Sequence, residues 1–536
     1  MESVNRFSKG KLFAFVAKPR AFPLLAFLIP LVVRMVPELL MGPYVVGFDT
    51  LAYYVPNTLT WLRDGVGFWN FMATAPFFYV LLMGVTSVGV PIVFSLKVIA
   101  PLLLGFLGIA VYYYATKTLS WSPKKSLLAV LFATLYFVAL RVSWDMLRSE
   151  LALIFLFTTL VFLTKEGRPL RNGVLLSLAM LSVVFAHQLI AVIMFAIVLA
   201  TLVHLYLGKK MSDLFRLAIY SVPAGILFFV IVFANYAASA DFSVVRGFPG
   251  QASEGFMMLF GFASYSDLVI NTLGFAVFCF LPLIPLLVRS ARKFRANLQL
   301  KVWISCIFIF ILIVIISPNT LFAVLPYRWV LLLTYPLAFY AAEAFTFLKS
   351  NLNKAVIGLM LVSLSVGFIA LPNSFAIPYY AAYPTYVPTS MLQNTISLSD
   401  SQDTANALQW VQNNMPTNAH LLVHDAFYGL ASLSLNADQL ISYGYGNLET
   451  MAQNLTENNS EDQPYLIWWV NGSGWHGQPT VSSSFEQVYE SGRIAVYTYS
   501  FGNYQNSAGS LIPNTNEVLT LERAPLFGHF VARILA

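Results

Sequence analysis

The sequence predicts a multi-pass α-helical membrane protein that carries a small α/β domain toward its C-terminus. Three observations predict it. Of 536 residues, 58% are hydrophobic and only 10% are charged, against about 25% charged in soluble domains. Apolar runs of about 20 residues, long enough to cross a bilayer, follow one another from Phe22 to about residue 372. The charge is also divided. Residues 1–372 hold 28 Lys and Arg against 12 Asp and Glu, a balance of +16; residues 373–536 hold 3 against 12, a balance of −9. The basic excess therefore belongs to loops that orient spans, and nucleic-acid binding is not needed to explain the net +7. No series of short alternating strands suggests a membrane barrel.

In chain order, a basic N-terminus (Arg6, Lys9, Lys11, Lys18, Arg20) precedes an apolar run too long for a signal peptide, with no clear small-residue cleavage site; it reads as a retained first helix. A long loop, 42–97, follows. Within it, the run from Ala75-Pro76-Phe77-Phe78-Tyr79 to Val90 is expected to lie at the interface. Counting it as a span would put Lys117, Lys124 and Lys125 on the outer side, against the positive-inside rule. The expected spans are then about 22–41, 98–116, 126–141, 150–164, 172–187, 188–207, 215–234, 268–288, 302–317, 329–348 and 354–372, about eleven in all. This puts 21 of the 28 basic residues of the membrane region inside. The N-terminus is thus expected to be cytoplasmic and the C-terminal segment extracytoplasmic.

The expected domains are 1–372 for the membrane region, 373–400 for a Pro-, Tyr-, Ser- and Thr-rich linker, 401–501 for an α/β domain and 502–536 for an unassigned tail. In the third of these, 404–414 has helical apolar spacing closed by Pro416, and 420–424, 465–470 and 494–499 read as strands. Sequons at Asn454, Asn458 and Asn471 fit an extracytoplasmic location. Cys279 and Cys306 both fall in apolar runs and read as buried apolar residues, not as a disulfide or thiolate ligands.

Charges of both signs gather at the outer ends. Gly47-Phe48-Asp49-Thr50-Leu51-Ala52-Tyr53-Tyr54 follows the first span. The tyrosines suit a half-wet interface, whereas an ionisable group at that depth is a functional hypothesis; a solvated loop acid is the other reading. The next outer loop carries Arg141, Asp145, Arg148 and Glu150. These could simply pair with one another. Alternatively, Asp145 and Glu150 face an acceptor, a sugar or a hard divalent cation, and Arg148 faces a phosphate. Arg328 in Pro326-Tyr327-Arg328-Trp329 and Lys97 at the head of the second span are either interfacial anchors or phosphate ligands. His187 closes an apolar run and fits either a hydrogen-bonded interface residue or a metal ligand. A transporter would more often place such charges at the midplane on broken helices. A site at the outer interface is the expectation, with all of these residues converging in one pocket.

The order of these features resembles the GT-C superfamily of integral-membrane glycosyltransferases, which includes protein O-mannosyltransferases, aminoarabinose transferases and oligosaccharyltransferases. The features are an outer-loop Asp49, a Pro-aromatic interfacial helix, a Lys97-initiated span, an acidic second loop and a late Tyr327-Arg328. The resemblance covers about residues 20–372. The 407–416 segment followed by Leu-Leu-Val-His-Asp resembles the outer domain of prokaryotic members. The first loop has one Asp where relatives have an acidic pair, and Trp468-Trp469 is followed by Val470-Asn471, not by the aspartate of the oligosaccharyltransferase motif. The resemblance implies transfer of a sugar from a polyprenyl-phosphate donor to a protein, lipid or glycan acceptor outside the cytoplasm. Asp49 would act as the acceptor-side carboxylate, Tyr53, Tyr54 and Tyr327 would line the acceptor or sugar, and Lys97, Arg148 and Arg328 would hold the phosphate. It leaves open a divalent cation (Mg or Mn) at Asp145, Glu150 and His187. The alternatives are a transporter or flippase of a lipid-linked or anionic substrate, and a family member that binds without catalysis.

Overall fold

In a computed structural model, the structure describes residues 21–45, 47, 49–164, 170–240, 265–291, 297–316, 326–369, 396, 398–442, 448–458, 463–470 and 481–500. Packing divides the chain into two units. The first comprises Met1–Gly42, Val66–Pro372 and Ala376–Leu392; the second comprises Pro43–Gly65, Asn373–Phe375 and Gln393–Ala536. The sequence pattern assigns all of 42–97 to the membrane region, so the grouping of Pro43–Gly65 with the C-terminal residues differs from that expectation. The N-terminal basic residues, the linker up to residue 395, the 502–536 tail, Asp241, Arg246, Glu254 and the Asn471 sequon lie outside the described residues.

The first unit opens with α1 (Ala21–Leu40). The chain contributes α2 (Val55–Asp64) to the second unit and returns with two short helices, α3 (Phe68–Ala73) and α4 (Phe77–Ser87). At about 1.5 Å per residue, the 11 residues of α4 cover only about half the hydrocarbon thickness. Its length therefore suits an interfacial helix better than a span. Then follow α5 (Ile92–Lys117), α6 (Pro123–Leu135), α7 (Phe137–Asp145), α8 (Leu147–Leu163), α9 (Leu170–Ala186), α10 (Gln188–Leu207) and α11 (Met211–Ala240). The unit continues with α12 (Tyr265–Phe280), α13 (Ile284–Ala291), α14 (Leu298–Ile316), α15 (Pro326–Leu332), α16 (Thr334–Thr346) and α17 (Asn351–Ile369).

Each expected span coincides with one of these helices or a consecutive group of them. Among the described residues, six helical stretches are long and apolar enough to cross a membrane alone, and α6 with α7, bent by 57°, makes a seventh. This is a multi-pass helical membrane protein.

Helix packing in lipid depends on close backbone approach, because lipid tails compete with apolar side chains. The α1–α5 contact shows it. A Cβ at Gly108 would sit 2.0 Å from the Ala26 carbonyl oxygen, so only glycine permits this approach. Away from the acid-and-base cluster on α1, α5 and α8, Lys125 of α6 pairs with Glu343 of α16 and lies 4.1 Å from the Trp121 ring centroid. Glu343 is thus paired locally. Cys279 and Cys306 are free and buried, as their apolar context implies.

The second unit is built on a five-stranded mixed sheet. Its strands are β1 (His420–Val423), β2 (Leu440–Ser442), β3 (Pro464–Trp469), β4 (Phe485–Ser491) and β5 (Ile494–Tyr499), in the order β2-β1-β3-β5-β4. β1 pairs in parallel with β2 and β3, and β5 pairs antiparallel with β3 and β4. The helices are α18 (Ser401–Asn414), α19 (Asp425–Ser434) and α20 (Leu448–Asn458), the last carrying the Asn454 and Asn458 sequons. β3 and β5 are buried along their whole length. Trp468, Trp469 and Phe427 form an aromatic core, and Trp469 Nε1 donates to Asp400 at 2.9 Å.

The 50–54 segment is fastened to this unit by one glycine. A Cβ at Gly429 of α19 would lie 1.6 Å from the Leu51 carbonyl oxygen. Even alanine there must force the two backbones apart. Gly429→Ala is therefore expected to destabilise this unit by about 2–3 kcal/mol. Limited proteolysis of the full chain in detergent checks it: cleavage within residues 43–65 should accelerate, and wild-type resistance would contradict the packing.

Candidate active site

A chain of charges runs through the first unit. Arg34 and Glu38 stand four residues apart on α1, so they share one face. Their side chains pair at 2.7 Å with exposures of 0% and 5%. Burying ions in lipid is tolerable only when they are paired and hydrogen-bonded. Arg34 meets that need at the α7–α8 break. The last carbonyls of a helix lack partners within it. Arg34 Nε donates to the Ser143 carbonyl at 3.0 Å and Nη2 to that of Trp144 at 3.4 Å, with the guanidinium 5.1 Å from the Trp144 ring centroid. At the other end of the pair, Lys97 of α5 donates to the Glu38 carbonyl at 2.6 Å and faces its carboxylate at 3.6 Å.

A second set gathers around His187. Arg148, in the first turn of α8, is buried; it donates to the Thr74 carbonyl, and its guanidinium lies 5.7 Å from the Tyr79 ring centroid. Gln188 Nε2 donates to the neighbouring Ala73 carbonyl at 2.7 Å. The end of α3 is therefore held by side chains from α8 and α10, just before Ala75, whose φ of +48 turns the chain into Pro76. His187 itself caps α10: its Nδ1 accepts from the Leu189 amide at 3.2 Å, which leaves the ring proton on Nε2. Arg148 and Arg328 both lie within electrostatic reach of this buried ring. Arg328 comes from the first turn of α15.

Glu150 is fully buried one turn into α8, and neither of its carboxylate oxygens has a hydrogen-bond partner among the described residues. Arg34 and Tyr335 lie within electrostatic reach of it. The α8 first turn thus carries one residue in electrostatic reach of each set, Arg148 for His187 and Glu150 for Arg34. Asp145 ends α7, and Tyr327 sits in the first turn of α15; the side chains of both lie outside the described residues. Among the described residues, which do not include the Asp145 side chain, no three His, Cys, Asp or Glu side chains group as metal ligands.

Asp49, Tyr53 and Tyr54 belong to the second unit. Asp49 is only 3% exposed, so it is not a solvated loop acid. It immediately precedes a π-helical turn, Thr50–Tyr54, which runs into α2. Such turns are rare and recur at functional sites. Tyr54 is buried and Tyr53 half-buried. Arg63 and Asp64, further along the same segment, pair with each other at 2.7 Å, and Arg63 also reaches Asp438 at 3.7 Å.

Arg34, Glu38, Gln188 and Tyr335 are absent from the site expected from sequence. The signal for the first pair was present: an Arg and a Glu at i,i+4 inside an apolar helix is an ion-pair spacing that lipid enforces. Nothing local marks Gln188 or Tyr335.

The fold defines a multi-pass helical membrane protein with a C-terminal mixed β-sheet. Within that class, the chain is similar in fold to the aminoarabinose transferase ArnT from Cupriavidus metallidurans. Its apo-state crystal structure matches with a TM-score of 0.51 and 15% identity, over 91% of this chain and 98% of that one. The crystal structure of the same protein bound to undecaprenyl phosphate matches with a TM-score of 0.48 and 14% identity, over 92% of this chain and 98% of that one. No protein-family model and no curated protein matches the sequence.

Proposed function

We propose that the protein is a membrane glycosyltransferase that moves a sugar from a polyprenyl-phosphate donor to an acceptor outside the cytoplasm. The observation that supports this reading is that two buried arginines, Arg148 and Arg328, lie within electrostatic reach of the buried His187 ring in a bundle of ArnT-like fold. Two buried guanidiniums in reach of the same ring suit a phosphate, whose oxygens accept paired, charge-assisted hydrogen bonds. The positive-inside rule puts this end of the bundle outward.

In the reaction, the acceptor oxygen attacks the anomeric carbon and the bond from that carbon to the phosphate oxygen breaks. The acceptor proton passes to the Asp49 carboxylate, and the electron pair leaves with the polyprenyl phosphate. The leaving group gains negative charge as the bond stretches, so Arg148, Arg328 and Lys97 interact with it more strongly in the transition state than in the bound donor. Gln188 and Arg148 fix the Ala73–Thr74 backbone beside that charge. One displacement of this kind inverts the sugar and needs no covalent enzyme intermediate.

The test is transfer by the purified protein in nanodiscs, supplied with polyprenyl-phosphate-linked sugars and a panel of acceptors and followed by mass spectrometry. Arg148→Gln and Arg328→Gln are each expected to lower kcat/KM by about 100-fold, as the loss of one preorganised contact to developing charge does. Movement of intact donor between leaflets with no transfer to any acceptor would point to a flippase instead.

A further inference from the structure

Lys97 shares its ammonium with a residue that the sequence does not single out. Its Nζ donates to the Glu38 carbonyl at 2.6 Å and stands 3.6 Å from the Glu38 carboxylate, while its side chain keeps 16% exposure. Glu38 is held in turn by Arg34 at 2.7 Å, and Arg34 by the carbonyls of Ser143 and Trp144. A continuous set of contacts therefore runs from the end of α7 to the head of α5. We propose that Glu38 is a positioning residue, which fixes the Lys97 ammonium so that its remaining donors meet an anionic phosphate oxygen. This rests on the phosphate-binding role of Lys97 given above.

Two effects of Glu38 oppose each other. Its negative charge repels a phosphate, and its grip removes the rotamer freedom that a lysine would otherwise lose on binding, about 2 kcal/mol at most. Arg34 decides between them. At 2.7 Å it neutralises Glu38, so the three side chains carry a net +1 that faces the ligand through Lys97. Preorganisation then outweighs repulsion.

The experiment measures binding of a polyprenyl phosphate to the full-length protein in nanodiscs. Lys97→Ala is expected to weaken binding about tenfold, the loss of one charge-assisted contact. Glu38→Gln should weaken it about fivefold in the wild-type background and not at all in the Lys97→Ala background, because its effect passes through Lys97. Glu38→Asp keeps the charge but draws it back by one methylene, and its affinity should fall between those of wild type and Glu38→Gln. Equal weakening by Glu38→Gln in both backgrounds, or wild-type affinity in both Glu38 variants, overturns the positioning role and leaves the phosphate reading intact. Wild-type affinity in Lys97→Ala removes Lys97 and Glu38 together from phosphate binding. Wild-type affinity in Arg148→Gln and Arg328→Gln as well removes the phosphate reading itself.

Discussion

Asp49→Asn is expected to lower kcat/KM for sugar transfer by about a thousandfold, within the range that a positioned general base supplies. The carboxylate is assigned the acceptor proton, and an amide of the same shape cannot take it. Because the substitution is nearly isosteric, the packing of a residue that is 3% exposed should survive, and the thermal midpoint should move little. The kinetic division is the sharper check. A base acting on the acceptor leaves donor binding alone, so KM for the polyprenyl-phosphate sugar should stay near the wild-type value while kcat falls. Asp49→Glu, which keeps the base but moves it by one methylene, should recover part of the rate. Transfer at the wild-type rate by Asp49→Asn would remove this residue from the mechanism.

The sequence leaves Asp49 open between a solvated loop acid and an interfacial carboxylate, and its 3% exposure excludes the first. The spans were legible because a bilayer selects apolar runs of fixed length, and that signal outweighs local propensity. The 57° break between Leu135 and Phe137 was not, since no proline or glycine occurs there and the chain turns at Tyr136, whose ψ of 138 is extended. In the C-terminal unit, β1, β3 and β5 could be anticipated from their apolar runs. β2 has only three residues, and β4 (Phe-Glu-Gln-Val-Tyr-Glu-Ser) is an edge strand whose polar side chains leave no buried stripe to detect. Site residues divide in the same way. Arg148 and Arg328 were legible as unusual charges near lipid. Their common proximity to His187, and the bond from Gln188 to Ala73, depend on tertiary packing, which no local spacing encodes.

Arg34→Leu should be among the most damaging single changes to the folded state. Removing one partner of a buried ion pair leaves the other charged and desolvated, at a cost of about 3–5 kcal/mol. Here Glu38 would keep only Lys97, at 3.6 Å, and the Ser143 and Trp144 carbonyls would lose their donors at the end of α7. The expected result is a steep fall in the yield of monodisperse protein and in its melting temperature in detergent. The double variant Arg34→Leu/Glu38→Leu separates charge from packing. With both ions gone and apolar volume in their place, stability should recover to within about 1–2 kcal/mol of wild type, the residual cost being the two carbonyls. Lys97 tolerates the loss, because its partly exposed stem can carry the ammonium toward water. The recovered protein should nonetheless bind polyprenyl phosphate more weakly than wild type, since nothing then holds Lys97 in place. If Arg34→Leu melts like wild type, the pair is not what secures α1 to the α7–α8 break. If the double variant binds as tightly as wild type, the pair serves folding alone.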